Sequence, residues 1–162
     1  MDEKPVETSE PVEIEDLPIE INHDKYEMQT SDSIGELAGA LAKAQGSMTG
    51  VGKGKDGYGY KYADLASVID TARKPLSDNG LAISQTHTLM RNPGKPSILT
   101  QTILMHESGE WIKSSLDIPL TPMKQLSTPQ IIGIAATYSR RYSYQAIVGI
   151  ASEEDTDGTA KK

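Results

Sequence analysis

The chain has 162 residues, no cysteine and a formal net charge of −7, which excludes disulfides, cysteine-based zinc sites and thiol nucleophiles. No apolar run approaches the roughly 20 residues of a membrane span, and no basic start leads into an apolar stretch. The sequence therefore reads as that of a soluble, intracellular protein whose acidity argues, at first sight, against a polyanionic partner.

The charge is unevenly spread. Residues 1–36 carry twelve acids against Lys4 and Lys25, a net −10, and residues 145–162 carry four acids against Lys161 and Lys162, a net −2. Residues 37–144 carry twelve basic side chains against seven acids, a net +5. A mildly basic core thus lies between acidic ends. Its length suits one domain of about 120 residues with its own core.

In chain order, residues 1–30 combine acids with Pro5, Pro11 and Pro18 and read as an acidic, disordered tail. Ser33 reads as a helix N-cap with Glu36 completing a capping box. That helix runs to about Gln45, with Ile34, Leu37, Ala38, Leu41 and Ala42 on one face. A Gly/Lys loop from Gly46 to Gly59 follows. A second helix starts near Asp64 with Leu65, Val68, Ile69, Ala72 and Leu76 inward, is kinked or ended by Pro75, and stops at Asn79-Gly80.

Three strands come next, over about Leu81–Met90, Ile98–His106 and Trp111–Leu120. Ser108-Gly109 reads as the centre of a two-residue hairpin turn. With His106 facing Trp111, one face collects Leu99, Ile103, Met105, Ile112, Leu116 and Ile118, and the other His106, Thr100, Thr102, Trp111, Lys113 and Ser115. A last helix starts at Thr128 with Pro129 in its first turn and runs to about Ile147. Helical phase puts Ile131, Ile134, Ala135, Tyr138, Tyr142 and Gln145 on one side and Gly133, Thr137, Arg140 and Tyr144 on the other, with Arg141 on the border. The fold class is α+β: a three-stranded antiparallel meander packed by a long C-terminal helix and two preceding helices. The core domain spans 31–151, and 152–162 form an acidic C-terminal tail.

Phenylalanine is absent, and six of the seven tyrosines fall in two clusters. Tyr58-Gly59-Tyr60-Lys61-Tyr62 follows Lys53 and Lys55, and Tyr138-Ser139-Arg140-Arg141-Tyr142-Ser143-Tyr144 lies on the last helix. Rings interleaved with cations suit unpaired nucleic acid, because bases stack on rings and phosphates meet cations without any base edge being read. The plainer alternative makes tyrosine a core filler among ordinary surface charges. Helical phase assigns Tyr138 and Tyr142 to the core and leaves Arg140, Arg141 and Tyr144 for contact. Trp111 reads equally as a seal of the hairpin tip or as a stacking ring beside Lys113.

Other motifs carry less. Gly52-Lys53-Gly54-Lys55-Asp56-Gly57 spells GxGxxG without the preceding strand and following helix that a dinucleotide site needs. Ser47 and Gly54 break a Walker pattern. Asp155-Thr156-Asp157-Gly158 starts like a calcium loop but has no closing glutamate. His23, His87 and His106 are isolated, and the core acids are scattered. No constellation reads as catalytic, and no cofactor is implied.

Five ordered blocks resemble the Erf (essential recombination function) family of bacteriophage single-strand annealing proteins. They are Tyr60-Lys61-Tyr62-Ala63-Asp64-Leu65; Pro75-Leu76 with Asn79-Gly80-Leu81; His106 with Ser108-Gly109-Glu110-Trp111; Gly133 with Thr137-Tyr138-Ser139-Arg140-Arg141-Tyr142; and Gly149-Ile150-Ala151 with Glu154-Asp155. Ile134 departs from the small polar residue often found there, and many members carry a longer C-terminal domain. The resemblance implies a fold related to annealing rings, ring or filament homo-oligomers, and ATP-independent annealing of single-stranded DNA in the bacterial host cytoplasm. A host single-strand-binding protein or a phage exonuclease would be its protein partners.

The expected site is a groove between the wet hairpin face and the last helix, of one subunit or of neighbours. Arg140, Arg141, Lys61 and Lys113 would meet phosphates, Lys53 and Lys55 would close over the strand, and Tyr60, Tyr62, Tyr144 or Trp111 would stack. The alternatives are a protecting single-strand-binding module that does not anneal, and an interaction protein acting through its acidic tails.

Overall fold

A computed structural model describes residues 27–48, 55–56, 61–62, 64–91 and 96–151; the rest of both acidic ends, with Lys53, Tyr58 and Tyr60, lies outside the described residues. The elements are β1 (Gln29–Thr30), α1 (Gly35–Ser47), β2 (Lys55–Asp56), β3 (Lys61–Tyr62), α2 (Leu65–Asp78), β4 (Leu81–Met90), β5 (Ser97–His106), β6 (Trp111–Pro119) and α3 (Thr128–Val148). The α+β class is as expected, but the antiparallel sheet has four strands in the order β1-β6-β5-β4. The extra strand forms where Gln29 and Thr30 pair with Lys113 and Ile112. Two residues are too few for alternation to betray a strand. The expected Gly/Lys loop, Gly46 to Gly59, contributes β2 to a second, two-stranded ribbon whose other strand, β3, follows it.

Each helix start has a different chemical origin. Asp64 caps α2 by accepting from the Ser67 N–H at 2.8 Å. Ser127, one residue before the expected cap, opens α3 in a capping box with Gln130, whose Oε1 accepts from the Ser127 N–H at 2.8 Å. α1 departs from expectation, because Ile34 is its N-cap residue and no side chain of its own caps it. Glu110, on the β5–β6 hairpin, does so instead: one carboxylate oxygen accepts from the Leu37 N–H at 2.8 Å and the other from the Ser33 hydroxyl. α2 continues through Pro75 to Asp78, and Asn79 donates back to the Pro75 carbonyl at 2.8 Å. Pro75 removes one donor in the last turns, where little helix remains to lose.

Glu110 carries a testable pH signature. Hydrogen bonds from Ser33 first, and then from the Leu37 backbone, hold its carboxyl below the usual carboxylate range. A depressed folded value means that the stabilisation is complete above the unfolded carboxylate pKa and is lost as pH falls through the folded one. Glu110→Gln is therefore expected to melt earlier than the parent at about pH 7, with the gap narrowing as pH falls below the usual carboxylate range. Thermal denaturation of both proteins across that range checks it.

The hairpin sets the register and corrects the expected one. The His106 carbonyl accepts from the Gly109 N–H at 2.9 Å, and the His106 N–H donates to the Glu110 carbonyl at 2.9 Å. The loop is thus Glu107–Gly109, with Gly109 at φ +91°, the left-handed position that closes a three-residue hairpin. One added loop residue shifts the pairing so that Met105 faces Trp111, Leu104 faces Ile112, Thr102 faces Ser114 and Thr100 faces Leu116. Such a shift turns a whole strand over. Thr100, Thr102 and His106, expected on the wet face, share the helix-bearing face with Ile98 and Leu104. Leu99, Ile103 and Met105, expected in the core, lie on the opposite face with Trp111 and Lys113. That face is not uniformly wet, since Ser97 and Leu99 are buried on it.

The helices supply Leu37, Ala40 and Ala44 from α1, Val68, Ala72 and Leu76 from α2, and Tyr144 and Val148 from α3, which meet Leu81 and Leu104 of the sheet. In α1, Ile34, Ala38 and Ala42, expected inward, are exposed. Its buried stripe runs through Leu37, Ala40 and Ala44 instead. The seam between α3 and the sheet is partly polar. Thr100, Thr102 and Ser139 are fully buried there, an arrangement that is stable only when every hydroxyl is hydrogen-bonded.

Candidate nucleic-acid interface

The proposed contact residues fall in three places. The first is the β2–β3 ribbon, whose backbone register sets Lys55 across from Tyr62 and Asp56 across from Lys61. The expected loop did not include this backbone pairing. Lys53 and Tyr60 lie outside the described residues.

The second is the helix-free face of the sheet. Trp111 and Lys113 share it, as their spacing predicts. Trp111 faces Met105, while Lys113 lies between Ile103 on β5 and Gln29 on β1. Both side chains are half-buried.

The third is α3, where two expectations reverse. Tyr144 is 7% exposed and belongs to the core cluster with Leu37, Val68 and Leu104. Burial pushes its phenol up, partly offset by the nearby Arg73 guanidinium. Arg141 is 6% exposed, whereas Tyr138 and Tyr142, expected in the core, are 43% and 41% exposed. The Arg141 guanidinium carbon sits 5.0 Å from the Tyr138 ring centroid and 4.9 Å from that of Tyr142, and its Nη2 donates to the Tyr142 hydroxyl at 3.2 Å. Arg141 thus braces two surface rings by cation–π contact and is not presented to solvent. The phase reading failed because α3 packs against both the sheet and α2. A helix lodged between two partners buries a wider arc than one stripe.

Arg140 lies beside Arg141 on α3. It is half-buried, and its Nε donates to Gln85 Oε1 at 3.4 Å, a long contact. Gln85 Nε2 donates to the Arg140 carbonyl and to Thr102 Oγ1, both at 3.0 Å. Two residues further along the same face of β4, His87 Nδ1 lies 2.9 Å from Thr100 Oγ1. Thr100 Oγ1 lies in turn 2.5 Å from Ser139 Oγ. Gln85 and His87 were not among the expected contact residues. Alternation along Leu81, Ile83, Gln85, His87 and Leu89 was the signal that could have placed them on the helix-bearing face.

Arg140 therefore lies on the helix-bearing side of the sheet, and Trp111 and Lys113 on the other. Within one chain they do not line a common groove. The geometry separates the expected site into a polar contact between Arg140 of α3 and Gln85 of β4, an opposite sheet face, and the β2–β3 ribbon. Among the described residues no three His, Asp or Glu side chains gather as a metal site, and no helix is long and apolar enough to cross a membrane.

The model of the ERF superfamily matches residues 37–162 of the chain, more than three-quarters of its length. The chain belongs to the ERF superfamily. That membership ties it to phage recombination and single-strand annealing proteins. No curated protein and no solved structure matches it. In this ERF protein the matched span begins at the first buried residue of α1 and includes α2, β4–β6 and α3. β1 precedes it. The serine–arginine block that most resembled the family, Tyr138 to Tyr142, lies where α3 crosses the buried hydroxyls of the sheet. Ser139 supplies the link through Thr100, while Arg140 contacts Gln85 and Arg141 stacks on Tyr138 and Tyr142.

Proposed function

We propose that this ERF protein binds single-stranded DNA and anneals complementary strands without ATP, as a homo-oligomer and without catalysing bond chemistry. The observation that carries the reading is the ERF match over residues 37–162. The half-buried Arg140 beside Gln85 supports it, since a cation can meet a phosphate without any base edge being read. Contact through the backbone leaves base edges free to test a second strand. Modest affinity per subunit becomes strong when an oligomer holds one continuous strand.

Self-association has a candidate surface. Ile134, Tyr138 and Tyr142 are exposed along α3. Beside them a cleft of about 310 Å³ is lined by Ile118, Leu120, Met123, Ile131, Ile134 and Tyr138. Exposed apolar and aromatic side chains in one patch, with a rigidly held arginine between two of them, match the residue types that dominate protein interfaces.

The test is to mix complementary oligonucleotides with the full chain, with no nucleotide present, and time duplex formation. Faster pairing than in buffer alone is expected. Binding of single strands without acceleration would make this a protecting protein instead. Absence of any single-strand binding at low salt would favour an interaction protein.

A further inference from the structure

We propose that His87 joins Arg140 in one phosphate-binding site where β4 meets α3, so that affinity for a single-stranded DNA backbone rises as pH falls. The inference rests on the single-strand-binding reading above and names the residues and the regulation of that site.

Both groups are positioned from below by the same buried polar seam. Gln85 holds the Arg140 carbonyl at 3.0 Å and accepts from its Nε at 3.4 Å, while itself anchored on the fully buried Thr102 at 3.0 Å. His87 is tied through Nδ1 to the fully buried Thr100 at 2.9 Å, and Thr100 to the fully buried Ser139 at 2.5 Å. Ser139 belongs to α3 and precedes Arg140 directly, so the two tethers converge on one turn of that helix. Buried hydroxyls in a sheet–helix seam cost stability relative to aliphatic packing unless fully paired. Here they fix two surface donors instead.

The hydroxyl chain also accepts a charged imidazole. With Nδ1–H donating to Thr100, Thr100 donates to Ser139, and Ser139 donates to the Ala136 carbonyl at 3.1 Å. Every hydroxyl then gives one proton and accepts one. Nε2–H remains for an anion, and His87 is exposed.

In the free protein, burial first and the Arg140 charge second hold the His87 imidazole below its ordinary value. Among the described residues the other elements bring no further charge to it. Its neighbours on β4 are Gln85 and Leu89, β5 sets Thr100 across from it, and Arg73 of α2 is paired with Asp70 at 3.4 Å. Arg91 is exposed beyond the end of β4. A phosphate between His87 and Arg140 removes the repulsion and favours the charged ring. Binding then takes up a proton. Affinity climbs as pH falls through the bound-state value and levels off below the free-state value, by roughly tenfold for each unit by which the two differ.

Fluorescence anisotropy with a labelled oligo-dT, at fixed ionic strength between about pH 5.5 and pH 8, tests it on the full chain. The parent should bind several-fold tighter at the acid end. His87→Gln should lose most of this gain on acidification, whatever its affinity at the alkaline end. Equal pH slopes in the two proteins overturn the inference while leaving single-strand binding intact. Should the parent bind no oligo-dT at any pH, the single-strand reading fails. The site is then decided by proton NMR of the His87 ring with inorganic phosphate: a raised titration midpoint sustains it, and an unmoved one overturns it.

Discussion

Leu104→Ala is expected to destabilise the domain by about 2–5 kcal/mol, and Ile103→Ala by roughly half that or less. The two are sequence neighbours of similar size, so the contrast depends on strand register alone. Leu104 is wholly buried among Leu37, Val68, Tyr144 and Val148. Ile103 faces Lys113 on the helix-free side of the sheet and is half-buried. Urea unfolding of the two variants, read at constant m-value, checks the difference. Equal destabilisation, or a larger effect at Ile103, would mean that β5 is turned over.

That pair also marks where the sequence stopped being informative. Strand positions were legible because glycine and proline punctuate them: Asn79-Gly80 precedes β4 and the Pro93–Pro96 stretch separates β4 from β5. Register was not, because Ser108-Gly109 fits a two-residue turn as well as a three-residue one, and a single residue decides which face of β5 is buried. The α1 cap was illegible for another reason. Its donor groups at Leu37 and Ser33 find their acceptor on Glu110, 73 residues beyond Leu37, and no local pattern encodes that. On α3, helical phase held for Ala135 and Gln145 but reversed for Ile134, Tyr138, Tyr142 and Tyr144, since period alone cannot report that a helix has two packing partners. Of the candidate site, Arg140 and the shared face of Trp111 with Lys113 were legible. Their separation by the sheet needed the register.

The adjacent arginines are expected to behave as different kinds of residue. Arg140→Ala should leave the fold intact and weaken single-strand binding, with a salt slope shallower by about 0.7 for each phosphate no longer neutralised. Arg141→Ala should instead cost stability, roughly 2 kcal/mol, by removing a guanidinium stacked on two rings and the packing of its buried stem. Thermal melts and salt-dependent anisotropy on the two single variants separate these effects, which a double substitution would merge. An Arg141→Ala protein of parental stability would show that the guanidinium between Tyr138 and Tyr142 supports nothing. An unchanged salt slope in Arg140→Ala would remove Arg140 from the DNA-binding surface.

The cap that Glu110 lends to α1 has a consequence for the order in which the chain acquires structure. A helix with its own cap can stabilise its first turn from local sequence, but this one gains its cap only once β5 and β6 have closed their hairpin. Closing so long a loop costs entropy before the hydrogen bonds offset it. The start of α1 and the hairpin tip are thereby joined in one cooperative unit, and opening of the tip releases the Leu37 amide. Two segments distant in sequence should therefore fray together.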